Sequence, residues 1–164
     1  IPFIYKPGTH FVYNNVGPYL AGILVQRRSG CDLVSYLTPR LFSHLGIKRP
    51  TWETDPLGNS FGAGGLFLTL SEFHKFGELY LNNGKVNGKQ ILSEKWIKES
   101  TTKSDVDYYG YLFWRGKYNS YRADGKYSQI SMILPEKNSV ITVVSECRRG
   151  DELMSVLYDM AAEL

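Results

Sequence analysis

Lys126-Tyr127-Ser128-Gln129-Ile130-Ser131-Met132-Ile133-Leu134, then Pro135-Glu136-Lys137-Asn138, then Ser139-Val140-Ile141-Thr142-Val143-Val144-Ser145-Glu146: this stretch decides the fold. Two runs rich in aromatic and β-branched residues flank a turn signal, the pattern of paired antiparallel strands. Upstream, Tyr109–Arg115 and Asn119–Ala123 read as two more strands, with Gly116-Lys117 as the turn between them. Downstream, a helix over about Asp151–Leu164 carries Leu153, Val156, Leu157 and Met160 on one side. Residues from about 105 to 164 therefore read as an antiparallel meander closed by a helix.

The preceding part, about 1–104, reads as helix and loop. A helix is expected over about Asn15–Ser29, with Asn14 or Asn15 as cap, Pro18 in its first turn and Gly30 as a left-handed end. Val16, Tyr19, Leu20, Ile23 and Leu24 follow its period. Asp32 opens a second helical stretch through Ser43, interrupted at Pro39 and closed at Gly46. Residues 48–68 are rich in Gly and Pro. Thr69-Leu70-Ser71-Glu72 is a capping box, ahead of an apolar face of Phe73, Phe76, Leu79 and Tyr80. Asn82-Asn83-Gly84 stops that helix, Val86-Asn87-Gly88-Lys89 is a tight turn, and Ser93 caps a short helix over Glu94–Glu99. Helices first, then strands, then a closing helix give an α+β class.

The chain has 164 residues, 43% apolar and 21% charged. A domain of about this length buries roughly 68–70% of its unfolded surface, so a real core forms and disorder is excluded. Basic residues number 19 and acidic ones 16, spread without a basic block, so no nucleic-acid partner is expected. No apolar run approaches the length of a membrane span. Cys31 and Cys147 lack metal-ligand spacing and read as unpaired core thiols; they do not identify a compartment.

Generic motifs give near misses. Gly62-Ala63-Gly64-Gly65-Leu66-Phe67 lacks the final glycine of a dinucleotide fingerprint, and Gly84-Lys85-Val86-Asn87-Gly88-Lys89 is one residue short of a phosphate loop. His10, His44 and His74 are far apart and have no H-E-x-x-H, so no metal site is expected.

Three stretches together resemble one family. They are Pro7-Gly8-Thr9-His10-Phe11-Val12-Tyr13-Asn14-Asn15 with Gly17 and Leu20-Ala21-Gly22, then Gly62–Thr69 with Phe76-Gly77, Asn83-Gly84 and Gly88-Lys89, then Tyr109-Gly110-Tyr111, Ala123-Asp124-Gly125, Gln129 and Pro135-Glu136. In order and spacing they are similar to serine β-lactamases and penicillin-binding proteins, nearest the class C, esterase and D-alanyl-D-alanine peptidase branch. The resemblance implies a β-lactamase/transpeptidase-like fold over residues 1–164, as a single partial domain.

The family's nucleophile lies in Ser-x-x-Lys, well upstream of Tyr-x-Asn, whereas only 12 residues precede Tyr13 here. The resemblance thus implies the C-terminal part of such an enzyme, with the nucleophile segment absent. Ser100-Thr101-Thr102-Lys103 fits the pattern but stands in the wrong place in the family order, and reads as a solvated helix exit.

A serine hydroxyl needs a base, and in the resembled enzymes the Tyr of Tyr-x-Asn shares that work. The resemblance implies Tyr13 as proton shuttle and Asn15 as an amide facing the substrate. Ala123-Asp124-Gly125 stands where the family has Lys-Thr-Gly or His-x-Gly. Gly125 would admit substrate close to the backbone, and the Lys126 amide would form half of an oxyanion hole. Ala123 replaces a basic residue, and Arg122 points to the opposite face if the strand alternates. Asp124 reads equally as a cleft residue or as a turn residue. Trp52, Tyr108, Tyr111 and Trp114 read as cleft lining or as aromatic core.

The expected function is acyl transfer on an ester, amide or β-lactam through an acyl-serine, without metal or organic cofactor. The partner is a small-molecule or peptide acyl substrate, and this chain alone is expected to be inactive. The alternative is a non-catalytic module that recognises peptidoglycan-type peptides. Either reading leaves an apolar face that drives self-association or pairing with the missing N-terminal segment.

Overall fold

The computed structural model describes residues 2–48 and 50–164. Its frame is a four-stranded antiparallel sheet in the order β5 (Trp114–Arg115), β6 (Tyr121–Gly125), β7 (Gln129–Leu134), β8 (Ser139–Val143). The meander read from the sequence is therefore present. Register pairs Arg122 with Met132 and Ile133 with Val140. Helix α3 (Leu70–Leu81) covers one face, where Tyr80, Phe113, Tyr121 and Ile133 form a buried cluster. Helix α5 (Gly150–Glu163) covers the other, with Leu157 and Ala161 on Ile130, Met132 and Leu134. Both faces of β7 are buried, which is why Ile130–Leu134 reads as a nearly continuous apolar run.

Helix α1 (Val16–Ser29) ends at Gly30, which is left-handed with φ 73°. The capping box at α3 is formed in both directions between Thr69 and Glu72. Two small hairpins, β1–β2 (Thr51–Trp52 with Leu66–Phe67) and β3–β4 (Lys85–Val86 with Lys89–Gln90), flank a third cluster of Phe42, Leu45, Ile47 and Leu79. Helix α4 (Glu94–Thr101) is capped by the Ser93 side chain, which accepts from Trp96 N.

The second helical stretch is present as a short α2 (Leu33–Leu37), capped by Asp32, that changes at Pro39 into a π-helical turn (Thr38–Phe42). Pro39 has no N–H to give, and the wider turn carries the chain past it. Four expectations are corrected. The strand expected over Tyr109–Arg115 is reduced to Trp114–Arg115. Leu112 sits at φ 67°, Tyr111 N donates to the Ser100 carbonyl, and the segment folds back on α4. On α5, Leu153, Leu157 and Ala161 face the sheet, while Val156 and Met160 are half exposed. On α1, Val16, Leu20 and Leu24 face outward, and the buried positions are Gly22 and Gln26. Cys31 and Cys147 are free thiols but only half-buried, so neither is a core residue.

Candidate functional site

The segment before α1 sets the position of Tyr13. Asn14 provides the local anchor: its Oδ1 accepts from Gly17 N and its Nδ2 donates to Val12 O, both at 2.9 Å. Asn15 is the terminal residue of the helix, and its side chain makes no capping bond. The residue is exposed. Tyr13 then lies against two rings, 5.4 Å from Trp114 and 5.9 Å from Tyr109, the latter edge-on. Tyr108 also stacks on this indole at 6.3 Å, and Phe11 touches both Tyr108 and Tyr109. Burial pushes the Tyr109 phenol up, and the adjacent Tyr13 adds to it.

Trp114 links this cluster to the third motif. It pairs across the ladder with Arg122, whose guanidinium sits 6.0 Å from the indole centroid. Arg122 Nε donates to Asp124 Oδ2 at 2.9 Å. Alternation along β6 puts Arg122 and Asp124 on one face and Ala123 on the other, where it packs against the cluster under α3. Asp124 is therefore ion-paired within the strand. Gly125 ends β6, paired with Gln129. Lys126 opens the hairpin loop, with its ammonium 4.8 Å from the Tyr127 ring centroid.

Trp52 stands elsewhere. Its indole N–H donates to Phe61 O and Gly64 O, and its ring packs on the third cluster. No aromatic contact among the described residues joins it to Tyr13 or Trp114. Tyr111 likewise pairs with Trp96 and not with Tyr13. Ser100 corrects the expectation of a solvated connection. It is 1% exposed, and its hydroxyl donates to Ile97 O inside the last turn of α4. Lys103 is paired with Asp107. A hydroxyl so buried and so bonded is not placed to attack a substrate.

Sequence reasoning missed how the first turn of α1 is held. Tyr19 OH donates to Asp55 Oδ2 at 2.5 Å, and Asn59 Nδ2 bonds the same oxygen. The Tyr19 hydrogen bond, then that of Asn59, holds Asp55 at about 2, well below the usual carboxylate value, and the same bond raises Tyr19. Behind it, buried Gln26 accepts from Ser60 N and donates to Ser60 O. Helix and glycine loop meet backbone to backbone: a Cβ on Gly62 would lie 2.9 Å from Pro18 O and 3.1 Å from Gly22 Cα. The pairing of small residues at 22 and 62 was readable as glycine, but not as a contact.

A cavity of about 460 Å³ lies away from this cluster, between the π turn, α3 and β3, with Lys75, Glu78, Asn82 and Lys85 among its walls. Among the described residues no buried side-chain polar atom is left without a partner. No three His, Cys, Asp or Glu side chains among them are grouped to hold an ion.

The sheet covered on both faces, with Tyr-x-Asn at a helix start and the glycine motif at a strand end, is the architecture of a β-lactamase-like fold. The chain belongs to the beta-lactamase family, whose family model matches residues 1–163. An inferred 6-aminohexanoate-dimer hydrolase from Bacillus anthracis superposes with a TM-score of 0.86 at 25% identity, over 97% of this chain and 44% of that one. A penicillin-binding protein from Bacillus halodurans gives 0.74 at 20% identity, over 97% of this chain and 58% of that one. Simvastatin synthase from Aspergillus terreus gives 0.68 at 16% identity, over 94% and 54%. This chain thus spans 44% to 58% of the length of these three structures. No curated protein matches the chain closely enough to count as a relative.

Proposed function

We propose that the chain forms the Tyr13–Asn15 side of an acyl-transfer centre acting on an ester, amide or β-lactam, of the class C and esterase type. The attacking serine comes from polypeptide outside these 164 residues. The observation that supports this reading is the placement of Tyr13 on Trp114, one ladder step from Arg122 and the strand that ends in Gly125. Tyr13 relays the proton between serine and leaving group, and the amide of the exposed Asn15 orients the acyl group. The Lys126 amide supplies one donor to the developing oxyanion, a contribution of about 2.7–4 kcal/mol where such donors are aligned. Ala123 faces the cluster under α3 and brings no cation to the Tyr13 side, where the nearby guanidinium is that of Arg122.

A fluorescent fluorophosphonate or penicillin, followed by a denaturing gel, tests this. The chain alone stays unlabelled. A serine-bearing polypeptide that completes the domain becomes labelled in its presence, and Tyr13→Phe slows that labelling by roughly 10²- to 10⁴-fold. Labelling of Ser100, or of any serine in the chain alone, overturns the reading. The inward hydroxyl of Ser100 and the apolar Ala123 also favour the second reading, a non-catalytic module for peptidoglycan-type peptides. Micromolar binding of a D-alanyl-D-alanine peptide with no labelling under any condition would select it.

A further inference from the structure

The turn after Gly125 has an unusual backbone. Gly125 pairs with Gln129 across β6 and β7, which leaves Lys126, Tyr127 and Ser128 as the loop between the strands. Tyr127 sits at φ 61° and Ser128 at φ 64°. Two successive left-handed residues, neither of them glycine and one of them bulky, are an outlier for L-amino acids. Such a backbone persists only where its surroundings over-determine it.

Those surroundings come from the segment just past β8. Ser145 shares its hydroxyl proton between Tyr127 O at 2.9 Å and Ser128 O at 3.1 Å, and its oxygen accepts from Cys147 N at 3.3 Å. Ser128 is buried, and its own hydroxyl donates to Cys147 O at 3.2 Å. Gln129 ties the same two segments through its side-chain amide: Nε2 donates to Ser145 O, and Oε1 accepts from Ser145 N at 3.3 Å. The Tyr127 ring is flanked by two cations, Lys126 Nζ at 4.8 Å and Arg148 Cζ at 5.4 Å from its centroid.

Every bond in this clamp is made within the chain. Gln129 also touches the strand that leads into the loop: a Cβ on Gly125 would lie 3.2 Å from Gln129 Cβ. One side chain thus spans from the end of β6, across β7, to the segment after β8. The carbonyls of both left-handed residues are engaged, and Lys126 N–H has no acceptor among the described residues.

We propose that Ser145 and Gln129 are positioning residues, which lock this turn so that the Lys126 amide is in place before an acyl group arrives. The inference rests on the acyl-transfer reading above, in which that amide is one donor to the oxyanion. A donor fixed in advance needs no reordering as negative charge develops. A turn released to negative φ would rebuild the end of the hairpin and carry the Lys126 amide with it.

In the 164-residue chain by itself, Ser128 should give the strong intraresidue HN–Hα NOE of a positive φ, and Ser145→Ala should weaken it. With the serine-bearing polypeptide that completes the domain, Ser145→Ala should slow fluorophosphonate labelling at saturation by roughly 10- to 100-fold. The half-saturating concentration should stay nearly unchanged. Gln129→Ala should act in the same direction. Adding Tyr127→Gly to Ser145→Ala should restore both the Ser128 NOE and most of the rate, because glycine takes the left-handed turn without support. A purely structural loss would not be mended by deleting a second side chain. Ser139→Ala, at the other end of β8, where the hydroxyl donates to Lys137 O, should change neither readout. Far-ultraviolet circular dichroism checks that each variant is folded. An unchanged NOE in Ser145→Ala overturns the proposal. So does a loosened turn with labelling at the parent rate, or a double variant that recovers nothing. A completed parent that is never labelled overturns the acyl-transfer reading and the positioning role with it; that failure is told apart because the turn still loosens in Ser145→Ala.

Discussion

The Tyr13 ring lies 5.4 Å from the Trp114 ring, tilted by 33°, although 100 residues separate them in sequence. This contact places a phenol from the helix start against the sheet, and it depends on the indole. Trp114→Ala should release Tyr13 and destabilise the fold by about 2–3 kcal/mol, since the indole is only partly buried. Chemical denaturation measures the loss. The Tyr13 ring resonances should move toward those of a free tyrosine; unchanged resonances would show that Trp114 does not hold the ring.

The Arg122–Asp124 pair is the second support, with side chains 15% and 25% exposed. Pairs this shielded leave an uncompensated charge when cut, so Arg122→Gln or Asp124→Asn should each cost about 1–2 kcal/mol. A double-mutant cycle should return a coupling of about 1 kcal/mol. A coupling near zero would reduce the pair to a surface contact.

Gln26→Leu should be among the most damaging single changes in the helical half. It removes both partners of the buried Ser60 backbone, and each orphaned group costs about 1–3 kcal/mol. Hydrogen exchange should quicken at Ser60 before it does in β7.

Gly62→Ala forces apart two backbones already in contact, at 2.9 Å to Pro18 O. The expected cost is about 1–3 kcal/mol, and the glycine loop should move away from Pro18 and Gly22 of α1. Gly64→Ala, in the same loop with no positive φ and its Cβ no closer than 3.8 Å to a neighbour, controls for an effect of the added methyl itself.

Asp55 gives a pH dependence of defined sign. Its folded value, about 2, lies below its ordinary one of 3.8, so the folded state favours the carboxylate. The stabilisation is complete above about pH 4 and is lost as pH falls through about 2. Asp55→Asn should therefore flatten the acid limb of the stability curve between those values, read as urea midpoint against pH. An unchanged slope would assign the acid limb to other carboxylates.

Much of this was legible locally. The capping box at Thr69, the left-handed Gly30, the Asn87-Gly88 hairpin and the meander over β6–β8 rest on residue types whose conformational preferences act within a few positions. Tyr-x-Asn and Ala-Asp-Gly were readable through order and spacing. What was misread depended on distant partners. The periodic stripes of α1 and α5 were right as helices, but which side is buried was settled by Gly22 meeting Gly62 and by Leu157 meeting Met132. Ser100 was read as solvated because its neighbours in sequence are polar, yet Gly110 packs onto its carbonyl and the chain covers it.

By itself, then, the sequence determined the elements, the α+β class and the family motifs, because caps, turns and strand patterning are local free-energy choices. The tertiary structure alone decided that Trp114 carries Tyr13 and that Arg122 is tied to Asp124 on the face away from Ala123. Those outcomes depend on which surfaces meet across long stretches of chain, where burial and hydrogen-bond satisfaction are shared between residues that no local pattern connects.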